Sequence, residues 1–141
     1  MVYLRNLTSW AMIAICFFCW WAPAHGAELE EAQLAANEGR YSDVVNLLTG
    51  VLEEKELDEA SRVVAHSNRG IAYSLLNAYA LARKDLNSAL KLNPDHALTM
   101  NHLGLLAEQV EKDYGVAADY YERASALGFS ASRVNLAKLF M

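Results

Sequence analysis

The sequence predicts an all-α protein in which α-α hairpins stack into a solenoid of about three repeats followed by a C-terminal capping helix. Apolar residues recur at every third or fourth position through most of the chain, which is the spacing of a helix face, and no stretch alternates apolar and polar residues as a strand does. Only two prolines occur in 141 residues. Gly70 and Gly104 stand 34 residues apart in similar surroundings, which indicates a repeated structural unit.

Residues 1–26 differ from the rest and are predicted to be a signal peptide. Arg5 precedes an apolar run at residues 10–22, and small residues follow it. Cleavage after Ala24 or after Gly26 would satisfy the preference of signal peptidase for small residues, and both sites stay open.

The remainder, residues 27–141, is expected to be exported to the bacterial periplasm. The alternative is an inner-membrane anchor formed by residues 7–24, although the apolar run is shorter than the roughly 20 residues that span a bilayer. Cys16 and Cys19 both lie in this segment, so the exported part would have neither a disulfide nor a cysteine metal site.

Composition and histidine spacing argue against several functions. The chain has 12 basic and 17 acidic residues, a net charge of −5, and this acidity argues against a nucleic-acid ligand. Membrane contact is expected only if the N-terminal segment is retained. His66, His96 and His102 lack the spacing of a helical metal site, and no nucleophile motif or phosphate loop is present. We therefore expect neither enzymatic activity nor a cofactor or metal.

A first repeat is predicted at residues 28–57. Its first helix should occupy residues 28–37, where acidic residues at the start favour the helix dipole. Gly39 can form the turn, and Ser42 is expected to cap a second helix at residues 43–54.

The central repeat, residues 63–96, has the clearest pattern. A glycine lets the two helices approach closely, small residues alternate with leucine on the second helix, and a proline ends it. The residues in this pattern are Gly70, Tyr73, Ala82, Leu86, Ala89 and Pro94.

These residues stand at the offsets of a tetratricopeptide repeat (TPR), a helix-turn-helix unit of about 34 residues. The central repeat therefore resembles that family. His66 occupies the family's Trp position and Arg69 its Leu position, so we expect looser packing inside this hairpin than in a consensus repeat.

A third repeat is predicted at residues 97–129, with one extra residue in its turn. Met100 holds the Trp position, and the stripe of the second helix is repeated by Tyr114, Ala117, Tyr121 and Ala124. Residues 114–140 also resemble a Sel1-like repeat, a relative of the TPR that forms the same hairpin.

A final helix is predicted at residues 131–140 and looks like the first helix of a further repeat. Its apolar residues Leu136, Leu139 and Phe140 have two interpretations. They pack on the third repeat and cap the solenoid, or they form an assembly surface for a homo-oligomer or another partner.

The TPR resemblance implies that the first helices of successive hairpins line a groove that binds a protein or peptide partner. The family's groove positions fall on Val64, Ser67, Ile71, Ser74 and Leu75 in the central repeat, and on Leu98, Asn101, Leu105, Glu108 and Gln109 in the third. The same residues could instead pack against neighbouring helices.

One subclass of TPR proteins grips the C-terminal carboxylate of chaperones, and residues 67–69 resemble its Ser-Asn-Arg segment. The cations of that clamp have no counterparts here, because the corresponding positions hold Leu29, Gln33, Leu98 and His102. The sequence therefore predicts a non-enzymatic adaptor of the cell envelope. The alternative is a structural or self-assembling subunit that associates through its C-terminal helix.

Overall fold

The computed structural model describes residues 24–141. Of the predicted signal peptide only residues 24–26 are described, and of the predicted anchor only residue 24; the rest of both segments lies outside the described residues. The described chain forms seven α-helices and one π-helical turn: α1 (Ala24–Asn37), α2 (Tyr41–Glu53), α3 (Glu59–Leu75), α4 (Tyr79–Leu92), α5 (Ala97–Leu106), the π-helical turn (Ala107–Glu111), α6 (Tyr114–Ala126) and α7 (Ser130–Leu139).

Consecutive helices pack on one another, so that α1 with α2, α3 with α4, and α5 with α6 form three hairpins. Helix α7 packs on α6, and the first helices α3 and α5 also touch each other. No strand occurs between residues 24 and 141, as the all-α fold class requires.

Each hairpin turn contains one residue in the left-handed backbone region. These residues are Gly39 with φ 74°, Asn77 with φ 61° and Lys112 with φ 59°. A left-handed residue reverses the chain directly after a helix, and glycine or asparagine adopts this conformation at little cost. Lysine does so at a higher cost, and its turn is the one that holds the extra residue.

That extra residue lengthens the end of α5 into the π-helical turn. The backbone N–H groups of Lys112 and Asp113 both donate to the carbonyl oxygen of Ala107, which closes the wide turn before α6 begins. The extra residue predicted in the turn is therefore accommodated within the helix itself, as a π-helical turn.

The core contains three apolar clusters: the first two join neighbouring hairpins, and the third joins the last hairpin to α7. The first joins Leu48 of α2 to Ala65 and Ala72 of α3. The second joins Leu86 of α4 to Leu103 of α5. Because the clusters span the hairpin boundaries, the hairpins depend on their neighbours to bury their apolar faces.

Two glycines set the distance between the helices of a hairpin. A Cβ at Gly70 would lie 2.9 Å from Leu86 Cγ, and one at Gly104 would lie 2.6 Å from Tyr121 Cε1. The close approach predicted from the central repeat pattern is therefore present in two hairpins.

The predicted start of α2 was wrong. The helix begins at Tyr41, so Ser42 is already inside it and does not cap it. Arg40 precedes the helix and forms an ion pair with Asp43. In contrast, Asp113 does cap α6, since its Oδ1 accepts a hydrogen bond from Val116 N at 3.0 Å.

Candidate functional site

Helix α3 presents an apolar stripe on the face assigned to the groove. Val64, Ile71 and Leu75 are separated by seven and four residues, which places them one above another on the helix. Val64 is 40% exposed and Leu75 is 52% exposed, whereas Ile71 is half-buried against the second core cluster. Ser74 is half-buried beside this stripe.

Helix α5 continues the stripe at the equivalent repeat positions. Leu98 and Leu105 are half-buried, and Leu105 contacts the third core cluster. Gln109 is exposed and Glu108 is half-buried in the π-helical turn. Five of the eight accessible positions on α3, α5 and the π-helical turn are therefore apolar.

Ser67 is not accessible, although its position belongs to the predicted groove. It is fully buried, and its Oγ accepts a hydrogen bond from Thr99 Oγ1 at 2.9 Å. His96 Nδ1 lies 2.6 Å from the same Thr99 oxygen, and burial lowers the pKa of His96. Ser67 therefore holds α3 against α5.

Asn101 has the equivalent role one repeat later. It is 5% exposed, and its Oδ1 accepts hydrogen bonds from Ser132 Oγ at 2.8 Å and Asn135 Nδ2 at 3.0 Å. These bonds join α5 to α7. Asn101 and Ser67 are thus packing residues in this structure, as the alternative interpretation of the groove positions allowed.

Glu108 is held in place by a buried tyrosine. Tyr121 is fully buried with its ring against Gly104, and its hydroxyl donates to Glu108 Oε2 at 2.6 Å. Burial and this hydrogen bond both raise the pKa of Tyr121, so the phenol keeps its proton and remains a donor.

A polar cluster lies behind the groove, between α2, α3 and α4. Arg69 Nε and Nη2 donate to the two oxygens of Asp85 at 2.6 and 2.9 Å, and Arg69 Nη1 donates to Thr49 Oγ1 at 3.0 Å. His66 Nδ1 lies 3.1 Å from Asp85 Oδ1. The Arg69 guanidinium also lies over the Tyr73 ring.

The surroundings of this cluster keep Asp85 and Arg69 ionised. Burial alone would raise the pKa of Asp85, but the hydrogen bonds from Arg69 and His66 outweigh it and lower that pKa. The bond to Asp85 raises the pKa of Arg69 in turn. Sequence reasoning missed this cluster because its members are 16 to 20 residues apart in the chain.

The residues of the proposed assembly surface divide into two groups. Leu136 and Leu139 are half-buried and pack against the third core cluster. Phe140, directly after the helix, is 73% exposed, and Val134 within α7 is 52% exposed. Helix α7 thus packs one face on the third hairpin, while Val134 and Phe140 remain exposed.

Among residues 24–141 no three His, Cys, Asp or Glu side chains are grouped closely enough to hold a metal ion. None of the helices described in this range combines the length and apolar character that a membrane span needs.

The family model of the tetratricopeptide repeat matches residues 63–96. Over 90 residues the chain is 34% identical to the lipoprotein NlpI homolog of Haemophilus influenzae, and the match covers 62% of this chain and 28% of that relative. The chain therefore spans less than a third of the length of this relative.

Two solved structures have folds similar to that of this chain. The Sgt2 TPR domain of Aspergillus fumigatus has a TM-score of 0.71 and 23% identity, over 84% of this chain and 78% of that domain. The first TPR of Spaghetti (RPAP3), bound to the HSP90 peptide SRMEEVD, has a TM-score of 0.70 and 22% identity, over 82% of this chain and 89% of that one. Both are TPR solenoids, and they confirm the predicted fold class.

Proposed function

Because the chain contains a tetratricopeptide repeat at residues 63–96 and has the fold of a TPR domain, we propose that it is a non-enzymatic interaction module. It binds a segment of another protein along the face formed by α3 and α5. The repeat is a protein-interaction fold in its family, and this supports binding rather than catalysis.

The observation that supports this site most strongly is the exposure of apolar side chains on the first helices. Val64 and Leu75 remain 40% and 52% exposed although Ile71, between them, contacts the core. Leu98 and Leu105 extend this surface onto α5. An apolar strip of this kind on a soluble solenoid is typical of a surface that another chain covers.

The wider role that we propose is that of an adaptor in the cell envelope. The predicted leader at residues 1–26 and the similarity to a lipoprotein homolog both support an envelope location. The structure of the Spaghetti TPR with a bound peptide supports a peptide segment as the ligand. For this chain we propose the periplasm as the compartment.

A charge placed on the stripe tests the proposed site. Leu75→Asp should reduce capture of the partner at least about tenfold in a crosslinking pull-down from the native envelope, because burying an unpaired carboxylate costs more than the apolar contact contributes. The matched control is Leu81→Asp on α4, a second helix of a hairpin, where the side chain is 48% exposed.

Circular dichroism should show unchanged helicity for both variants. Equal capture by the wild type and the Leu75→Asp variant would exclude this face as the binding site. Loss of the partner in both variants would show that the effect is not specific to the first helices.

A second candidate function is self-association through α7, and the 73% exposure of Phe140 favours it. If α7 joins two copies, Phe140→Asp should convert a larger species into a monomer in light scattering. A wild-type protein that is monomeric at about 100 µM, a concentration well above the Kd of a typical stable dimer, would refute this candidate.

A further inference from the structure

The charges of the first helices restrict what the proposed groove can bind. Among its ten predicted residues the only ionisable side chain is Glu108. Helix α5 contains neither lysine nor arginine, and both arginines of α3 make internal contacts. Arg62 donates to carbonyl oxygens at the end of α2 and in the loop that follows, at 3.3 to 3.5 Å, and Arg69 donates to Asp85.

The carboxylate of Glu108 is positioned by the protein before any ligand arrives. Tyr121 is fully buried, and its ring packs against the backbone of Gly104. Its hydroxyl donates to Oε2 of Glu108 at 2.6 Å, which leaves Oε1 to accept a hydrogen bond from a ligand. A carboxylate fixed in this way binds a cation with less loss of side-chain entropy than a mobile one.

Helix α5 does not neutralise this carboxylate. His102 is the only histidine on that helix, and burial lowers its pKa to about 4. It is therefore uncharged at neutral pH. An acidic ligand would meet a negative side chain in the third repeat. The two arginines of α3 would not offset it, because Arg62 donates to backbone carbonyl oxygens and Arg69 is bound to Asp85.

We infer that Glu108 is a specificity-determining residue of the groove: it accepts a hydrogen bond from a Lys or Arg side chain of a bound apolar segment, and it discriminates against acidic segments. This inference rests on the proposed function and names the class of partner, an apolar peptide with a basic residue. The apolar stripe provides contact area for the peptide, and Glu108 selects peptides that carry a positive charge over those that carry a negative one.

Two synthetic peptides test the inference. They share the same apolar residues, and one carries lysine where the other carries glutamate. Their binding to the full chain is measured by fluorescence anisotropy. At low salt the lysine peptide should bind about tenfold more tightly, because its charge is attracted to the Glu108 carboxylate whereas the charge of the glutamate peptide is repelled. The ratio should shrink at about 1 M salt, where charges are screened beyond roughly 3 Å.

Glu108→Gln should reduce the ratio to about threefold or less. Glutamine keeps an acceptor for the Tyr121 hydroxyl, so the variant loses the charge without losing the hydrogen bond. The control is Glu122→Gln on α6, which changes the net charge by the same amount at an exposed site and should leave the ratio unchanged.

Equal affinities for the two peptides would overturn the inference, and so would a control variant that lowers the ratio as much as Glu108→Gln. Failure of both peptides to bind would also overturn it. The proposed function is judged separately by the Leu75→Asp pull-down, because a partner of another charge class would still be lost in that variant.

Discussion

Replacing Asp85 with alanine should destabilise the protein more than any exposed charge substitution. Asp85 is 4% exposed and is held by two hydrogen bonds from Arg69 and one contact with His66. The substitution removes these interactions and leaves a guanidinium, only 17% exposed, without its carboxylate.

The magnitude follows from the burial of the two partners. Breaking a fully buried ion pair by removing one partner costs about 3 to 5 kcal/mol, because the remaining charge stays buried. Arg69 retains its bond to Thr49 and has some contact with water, so we expect a loss of about 3 kcal/mol for Asp85→Ala. Asp85→Asn keeps an acceptor of the same shape and should cost about 1 to 2 kcal/mol.

Urea unfolding followed by circular dichroism measures this loss as a change in midpoint at constant slope. The control is Asp119→Ala, which breaks an exposed pair with Arg123 at 3.5 Å and should cost less than about 0.5 kcal/mol. A loss below about 1 kcal/mol for Asp85→Ala, or equal losses for the two variants, would refute the structural role assigned to the cluster.

Three further predictions concern stability. Gly104→Ala should destabilise the protein by about 1 to 3 kcal/mol in urea unfolding, since the new Cβ would lie 2.6 Å from the buried ring of Tyr121; an increase in stability would contradict the packing described. Lys112→Gly should stabilise it by about 0.5 to 1 kcal/mol, because φ is 59° there and glycine adopts this conformation without strain, and an unchanged midpoint would contradict that reasoning. Burial lowers the pKa of His102 to about 4 from an ordinary value of 6.5, so the unfolded state takes up a proton there before the folded state does. Stability should therefore fall as the pH drops from about 6.5 to about 4, and His102→Gln should reduce this fall. Parallel pH profiles for the wild type and the variant would contradict the prediction.

The repeat pattern was sufficient to predict the fold because it records contacts inside one unit. Gly70 and Leu86 are close in the structure as the spacing indicated, and the equivalent pair in the third hairpin is Gly104 with Tyr121. The helix face of each residue follows from its position in the repeat. The three hairpins and the final helix were therefore predictable from a single sequence.

Contacts between units were not predictable in the same way. Ser67 was assigned to the groove by its position, but Thr99 on the next first helix covers it. Asn101 is covered in turn by Ser132 and Asn135. The distance between neighbouring first helices decides whether such a side chain is open or buried, and this distance depends on tertiary packing.

The contacts of the polar cluster were also not predictable from the repeat pattern, although Arg69, His66 and Asp85 lie in one hairpin. Arg69 and His66 depart from the family pattern, and looser packing was expected there. In the structure both residues contact Asp85, so ionic and hydrogen-bonded contacts replace the missing apolar ones. Asp85 lies on the buried side of the second helix, 16 residues after Arg69, which departs from the family pattern. This combination was the signal that could have suggested the pair.

The most direct test of the binding site is photocrosslinking from single positions in the native envelope. A photoreactive amino acid replaces Leu75 on α3 in one variant and Leu81 on α4 in the other, two apolar residues of similar exposure, 52% and 48%. Binding along the first helices predicts a discrete crosslinked product from position 75 and none from position 81. A product from position 81 with none from position 75 would contradict it.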